Sequence, residues 1–363
     1  MRKSNYSDDN IVLDEHDTTS YSIEFSDNNH YPSKNSVKPL EVLFVSSGNL
    51  KNFDLAPFIK VQGESLTEEN INVTYFTIKG KGIRGYLRNI KNLKKFLKEK
   101  QFDLIHAHFT LSGWVAALSF PKHTPLVLSL MGTDALGRVK KGSIWPASWN
   151  HLTFLTYIIQ PFVDAIISKS PNIDQHVWMR KNSHIIPNGV DLEKFDGLRK
   201  NYRHELGLKE NQKYILFLGN PSDTNKNFNF LKEAKGQLSK DGFEIVSPYP
   251  VSHDNIVKYL SSVDMVVMCS QQEGSPNVVK EALASNCKGV FTNVGDVEYV
   301  IGNTPGYAIT DFTQQELVKK IHEVDLIASC HGRQRLIKLG LDTKNIALRI
   351  KDIYTSLLTN KTA

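Results

Sequence analysis

The sequence predicts an α/β protein with two domains, each a parallel sheet covered on both faces by helices, and three observations predict it. Apolar runs of strand length alternate with helical patterns from residue 41 onward, that alternation restarts after Pro187-Asn188-Gly189, and 363 residues exceed what one hydrophobic core usually organises. The first series of strands is VLFVSSG at 42–48, VTYFTI at 73–78, DLIHAHF at 103–109, PLVLSLMG at 125–132 and AIISKS at 165–170. The second is YILFLG at 214–219, EIVSPYP at 244–250, DMVVMCS at 264–270 and GVFTNVG at 289–295. Domains are therefore expected over 39–190 and 191–345, with a last helix over 346–363 returning to the first domain. Residues 1–38 are rich in Asn, Ser and Asp, carry no apolar period and read as a disordered tail. In such sheets, ligands bind beyond the carboxyl ends of the strands, so the loops after these runs are where chemistry is expected.

Composition narrows the class. No apolar run reaches the roughly eighteen residues of a membrane span, and no signal-peptide pattern opens the chain, so a cytoplasmic protein is expected. Cys269, Cys287 and Cys330 are odd in number and widely spaced, which fits neither a disulfide framework nor a zinc site. The formal charge of +6 is concentrated in places: Lys79–Lys100 holds nine basic residues and one acidic, Glu99. Ile83, Tyr86, Leu87, Ile90, Leu93 and Leu97 recur there at helical spacing. Two readings of this basic amphipathic helix stand: a core-packed helix with a solvated basic face, or a surface that meets anionic lipid. No nucleic-acid module accompanies it, and no Gly-x-Gly-x-x-Gly follows either first strand, so nucleic-acid binding and nicotinamide chemistry lose support.

The most informative stretch is Ser270 to Glu281, directly after a buried-strand run. Ser275 is a good helix N-cap and Pro276 a good first helical residue. The free backbone N–H groups of Asn277 and Val278 would then sit at the positive end of the helix dipole, ready for a phosphate, while Gly274 lets a ligand approach closely. Glu273 lies just before the helix and Glu281 in its second turn, placed to meet hydroxyls on either side of that phosphate. An ordinary solvated acidic pair is the alternative that spacing alone leaves open.

Two glutamates in a Glu273-Gly-Ser-Pro-Asn-Val context, followed by Glu281-Ala-Leu-Ala and Asn293-Val-Gly-Asp-Val, resemble the donor-site signature of glycosyltransferase family 4. The resemblance extends over most of 41–350 and includes IPNGVDLEKF at 186–195 and FDLIHAHFTLSGWVAAL at 102–118. It implies the GT-B fold, two facing Rossmann-like domains with a central cleft, and a retaining, metal-independent hexosyltransferase-like enzyme. Glu273 then matches the glutamate that contacts the transferred sugar, Glu281 the one that holds the ribose, and Lys226 the lysine that neutralises the diphosphate. Gly274, Ser275, Pro276, Asn277 and Val278 would contact sugar and phosphates through their backbone. Asn220, in GNPSDTNKNF at 219–228, stands at the common Arg position of the donor loop, and Asp223 where relatives with an Asn-Pro loop often place their Arg; Asp223 is read mainly as a stabiliser of that turn.

In the first domain, His106 and His108 alternate on a strand and are read as projecting to opposite faces, with His108, nearer the strand end, facing the cleft and the donor sugar. Met131 stands where relatives often carry His. Asp134 is assigned either to the acceptor or to capping the helix that follows. Gly48, in the turn after the first strand, would bring backbone near the pyrophosphate. No Asp-x-Asp sits at a strand end, so neither metal nor cofactor is expected, only a UDP- or GDP-linked sugar donor. The expected acceptor is a glycan or lipid-linked glycan of surface polysaccharide or lipopolysaccharide assembly, with peripheral contact to an anionic inner membrane face. A non-catalytic nucleotide-sugar-binding subunit and a GT-B-like sugar-nucleotide epimerase are the alternatives.

Overall fold

The computed structural model describes residues 38–49, 54–80, 82–119, 123–137 and 150–359, so the expected tail, apart from Lys38, lies outside the described residues. Six parallel strands form the first sheet: β1 (Leu40–Ser47), β2 (Ile71–Ile78), β3 (Leu104–His108), β4 (Leu126–Leu130), β5 (Ala165–Ser168) and β6 (Ser183–Ile185), in the order β2-β1-β3-β4-β5-β6. Five more form the second: β7 (Lys213–Leu216), β8 (Phe243–Val246), β9 (Met265–Met268), β10 (Lys288–Thr292) and β11 (Tyr307–Thr310), in the order β11-β10-β9-β7-β8, again all parallel. Every expected run supplies a strand. Two of the four edge strands, β6 and β11, were missed, because three or four half-apolar residues give no run to read.

The near-continuous apolar strands follow from burial on both faces. Leu43, Val45, Ile105 and Leu128 point to one side of the first sheet, where the basic helix Gly82–Glu99 packs through Leu93, which is fully buried. That helix is thus core-packed, with Arg84, Arg88, Lys91, Lys94, Lys95 and Lys98 exposed. Val42, Phe44, Val127 and Ile167 point to the other side, into a core shared with Val266, Val279 and Phe291 of the second sheet region. The helices Pro57–Glu68 and Thr343–Thr359 pack on each other over this face. Ile346, Ile350 and Tyr354 of the last helix are buried, and Tyr354 Oη lies 2.5 Å from His106 Nδ1 on β3. The chain therefore ends its described course against the sheet with which it began.

Strand order fixes where a ligand site can form. Each sheet reverses direction once, between β1 and β3 in the first and between β7 and β9 in the second, and the crevice outside the carboxyl ends of the strands at such a reversal is the preferred binding place. A cavity of ≈ 520 Å³ at the opposite, amino ends of β5 and β6, lined by Asp164, Lys181, Arg349 and Asp352, lies away from both reversals.

Candidate active site

At the second reversal, the loops after β7 and β9 are knitted together. Gln271 N donates to Asn225 O at 2.8 Å, and Asn225 Nδ2 donates to Gln272 O at 2.9 Å. Across this seam Lys226 Nζ donates to Glu273 Oε1 at 2.5 Å, both side chains partly buried. A charge-assisted bond of that length in a part-desolvated cleft holds both groups in place. A cleft of ≈ 520 Å³ opens beside the pair, bounded by Thr224, Glu273 and Gly274 and, from the first sheet, by Met131, Gly132 and Thr133.

The helix expected after Glu273 is present as Asn277–Ala284, but it begins one residue later than the sequence suggests. Pro276 is the N-cap, in an extended conformation, and Ser275 makes no cap bond. The Ser275 hydroxyl instead accepts from Lys280 Nζ at 3.0 Å and is bonded to Asp296, so a buried lysine one turn into the helix has taken the serine away from the helix end. Gly274 also differs from expectation. A Cβ there would lie 2.4 Å from Ile173 Cδ1, so the missing side chain makes room for the first half of the chain rather than for a ligand alone. Asn172 Nδ2 donates to Glu273 O at 2.9 Å, adding a polar bond to that contact. From behind, the loop after β10 closes on the same residue: Asp296 N donates to Gly274 O at 3.0 Å, and Gly295, at φ +64°, approaches that oxygen too closely to carry a Cβ.

Glu281 faces a second, smaller cavity of ≈ 210 Å³, shared with Asn277, His253, Gly189 and, from the helix Pro57–Glu68, Phe58. Its Oε1 lies 3.3 Å from His253 Nε2. Glu273 and Glu281 thus open onto two cavities on either side of the helix start.

In the first half, three expectations need correction. His106 and His108 do not project to opposite faces: side chains alternate with period two along a strand, so residues two apart share a face. Their rings stack at 4.3 Å on the side of the sheet occupied by Phe44 and Tyr354. His108 is enclosed and lines no cleft, and burial first, then the charge of Lys169, holds its imidazole well below its ordinary pKa. Burial, then the neighbouring His108 and Lys169, likewise lowers the pKa of His106 well below its ordinary value, and Ser129 Oγ lies 2.8 Å from its Nε2. Asp134 is fully buried and is not placed to meet an acceptor; its carboxylate accepts from Met131 N at 2.9 Å and Thr110 N at 3.1 Å, binding the ends of β3 and β4 together. Burial raises its pKa, and these backbone donors oppose the rise. Gly48 lines neither cavity; its N–H donates to Ile78 O at 2.9 Å, and a Cβ would meet Thr77.

Comparison with known proteins bears on this arrangement directly. The family model described as Glycosyltransferase Family 4 matches residues 59–194, and that of the glycosyl transferases group 1 matches 231–324, one on each sheet. The chain is a glycosyltransferase of this family. The Bacillus subtilis protein TuaC, named as a glycosyltransferase of teichuronic acid biosynthesis, is 25% identical over 62% of the chain, a match that spans 63% of TuaC's own length. The UDP-Gal:α-D-GlcNAc-diphosphoundecaprenol α-1,3-galactosyltransferase of Escherichia coli is 22% identical over 76% of the chain and 81% of its own. Among solved structures, the sucrose-phosphate synthase of Thermosynechococcus elongatus superposes with a TM-score of 0.68 at 16% identity, covering 89% of this chain and 100% of that one. Anabaena HepE in complex with UDP and glucose gives 0.63 at 16% identity, covering 88% and 100%. At these identities the superpositions establish the fold: two parallel-sheet α/β domains in the GT-B arrangement.

Within this glycosyltransferase the loop after β7 has its own character. Asn220 Oδ1 accepts from Ser222 N at 3.0 Å and Asp223 Oδ1 from Asn225 N at 3.0 Å, so both side chains brace the turn that presents Lys226. Sequence reasoning missed Asn172, His253, Lys169 and Lys280, which lie far in sequence from the residues they serve or carry no motif. It also missed Phe109, at φ 81° and ψ 140° directly after His108, a conformation that costs a bulky residue on the order of 1–3 kcal/mol.

Proposed function

We propose that this chain transfers a sugar from a nucleoside diphosphate sugar to a glycan or lipid-linked acceptor, with retention of anomeric configuration, in surface polysaccharide or lipopolysaccharide assembly. The observation that carries the reading is the meeting of Lys226 and Glu273 at the second switch point, beside the start of the helix Asn277–Ala284. Breaking an anomeric bond builds positive charge on the sugar and negative charge on the departing diphosphate, so fixed donors around the diphosphate lower the barrier. Lys226 and the backbone N–H groups of Asn277 and Val278 supply them, and the reading assigns this work to them rather than to a metal ion. Glu273 faces the sugar in the larger cleft. Glu281, in the smaller cavity, accepts from the ribose hydroxyls. The relatives' names support a UDP-linked donor: one carries UDP-galactose and a diphosphoundecaprenol-linked acceptor in its name, and HepE is described with UDP and glucose. The direct test incubates the protein with UDP-sugars and a panel of polyprenyl diphosphate glycans and reads the product anomer by NMR. An α-linked product from an α-linked donor supports the reading; an inverted product contradicts retention, and donor epimerised without acceptor favours an epimerase.

The first half offers a surface for a lipid-borne acceptor. Exposed Phe154, Tyr157 and Phe162 lie on and just beyond the helix His151–Ile159, beside exposed Trp178, whose ring is 5.6 Å from Tyr157. The helix Thr110–Ala117 packs between that ridge and the basic helix Gly82–Glu99. Aromatic side chains beside exposed lysines and arginines suit the interface of an anionic bilayer. Among the described residues, no helix is long and apolar enough to cross a membrane, so the proposed contact is peripheral. Co-sedimentation with phosphatidylglycerol vesicles, but not with phosphatidylcholine, is expected, and a double Lys94→Glu, Lys95→Glu variant should lose it. Binding indifferent to anionic lipid removes the membrane contact.

A further inference from the structure

Lys169 follows β5 and is buried, and no described residue gives its Nζ a hydrogen-bond partner. Beside it stand His108, whose two ring nitrogens are likewise unpartnered, and Lys280. Lys280 is well provided for: its Nζ donates to Asn188 O at 2.8 Å and to Ser275 Oγ, with Asp296 and Glu281 acting favourably on its charge. Lys169 has no such help. Burial, then the repulsion of Lys280, lowers its pKa to about 7, while that of Lys280 falls to about 8. An enclosed ammonium without a counter-charge is unfavourable by several kcal/mol, roughly, so this pocket is short of negative charge.

Its position says what would supply that charge. The residues that follow Lys169 already touch the loop after β9: Asn172 bonds to Glu273 O, and Ser170 Oγ lies within 3.2 Å of where a Cβ on Gly274 would be. On the other lip of the cleft, Lys226 is the charged side chain that the functional reading sets against the diphosphate, its charge shared with Glu273, and Asn220 brings none. One shared ammonium leaves much of a diphosphate's charge unmatched, so a further cation has a place there.

We propose that Lys169, backed by Lys280, is an oxyanion site through which the first half of the chain grips the diphosphate of the nucleotide; this rests on the reading of the chain as nucleoside-diphosphate-dependent. No covalent bond forms. The ammonium donates hydrogen bonds to phosphate oxygens at the lip held by Ser170 and Asn172.

Calorimetric titration of the full chain with UDP, GDP and ADP, each against its monophosphate, tests the site in wild type, Lys169→Met and Lys169→Arg. Wild type should prefer one diphosphate over its monophosphate. Lys169→Met should lose about tenfold or more of that preference with monophosphate affinity unchanged, and Lys169→Arg should keep most of it. Equal weakening of both nucleotides, or an unchanged preference, overturns the inference. A readout on wild type covers the case in which Lys169→Met does not fold. At pH 8, with Lys280, His106 and His108 facing Lys169, diphosphate binding should take up protons, seen as a binding enthalpy that varies with the ionisation enthalpy of the buffer; no variation overturns the site. Binding weakened by Glu281→Ala but not by Lys169→Met sinks this inference alone, whereas a wild type that binds no nucleoside diphosphate sinks the functional reading and this site together.

Discussion

At the second switch point the polar side chains are engaged on the surface of a cleft, Lys226 with Glu273 and Glu281 with His253, whereas at the ends of β3, β4 and β5 they are turned inward, His108 and Lys169 without hydrogen-bond partners for their side-chain nitrogens among the described residues and Asp134 sealed between two strand ends. Both sheets are built by the same rule, parallel strands reversing once, yet only one presents its chemistry in a continuous stretch of sequence. The difference teaches that one lip of this cleft is specified locally and the other by packing. The helix Asn277–Ala284 organises the second lip, with Glu273 and Glu281 flanking its first turns. The first lip is assembled from the ends of β3, β4 and β5, which meet only in the fold.

Removing Glu273 should distinguish the lips most sharply. Glu273→Gln is expected to lower turnover by roughly a hundredfold or more, as loss of a preorganised electrostatic contact does, while leaving the melting profile close to wild type. Activity within a few-fold of wild type would remove Glu273 from the reacting centre. Next in size, Asp134→Ala leaves the buried N–H of Thr110 and the half-buried N–H of Met131 without acceptors and should cost about 2–4 kcal/mol in chemical denaturation. A loss below about 1 kcal/mol, or a raised acceptor KM in a fully stable protein, would return Asp134 to the acceptor site. Gly274→Ala drives a methyl into Ile173 and should cost about 1–3 kcal/mol. Pairing it with Ile173→Val should recover part of that cost, and strictly additive effects would show that the two residues do not meet.

The last expected effect is one of pH. A lysine whose pKa is lowered in the fold binds its proton less tightly than the unfolded chain does, so stability should rise with pH between about 7 and the ordinary lysine value as the strain of the buried charge is relieved. Below about 7 the lysine is charged in both states and the full cost is present. Denaturation of wild type and Lys169→Met at pH 7 and pH 9 should show a shallower rise in the variant. Parallel slopes would mean that Lys169 is not the group responsible.

How much could be read beforehand follows the same division. Alternating strand and helix patterns disclosed both sheets and the restart after Gly189, because strands buried on both faces leave long apolar runs; β6 and β11, at the edges, leave none. The placing of Glu273 just before one helix and of Glu281 within it was legible because one strand–loop–helix unit holds them, with Lys226 on a neighbouring loop. The inward turn of His108 was misjudged through the strand period, although that period is itself a property of sequence. Ser275 as a cap was a sound local reading that Lys280, reaching back from within the helix, overrode. Asn172 and Lys169 gave no warning, since a partner about a hundred residues away along the chain, as for Asn172 and Glu273, leaves no local pattern.

The central claim is that the second switch point binds a nucleoside diphosphate, with Lys226 on its phosphates and Glu281 on its ribose. Calorimetric titration of UDP, GDP and ADP against wild type, Lys226→Ala and Glu281→Ala addresses it most directly. The account predicts that one nucleotide binds well and that each variant weakens it by about tenfold or more. Tight binding that neither substitution disturbs, or no binding of any of the three to wild type, would contradict it.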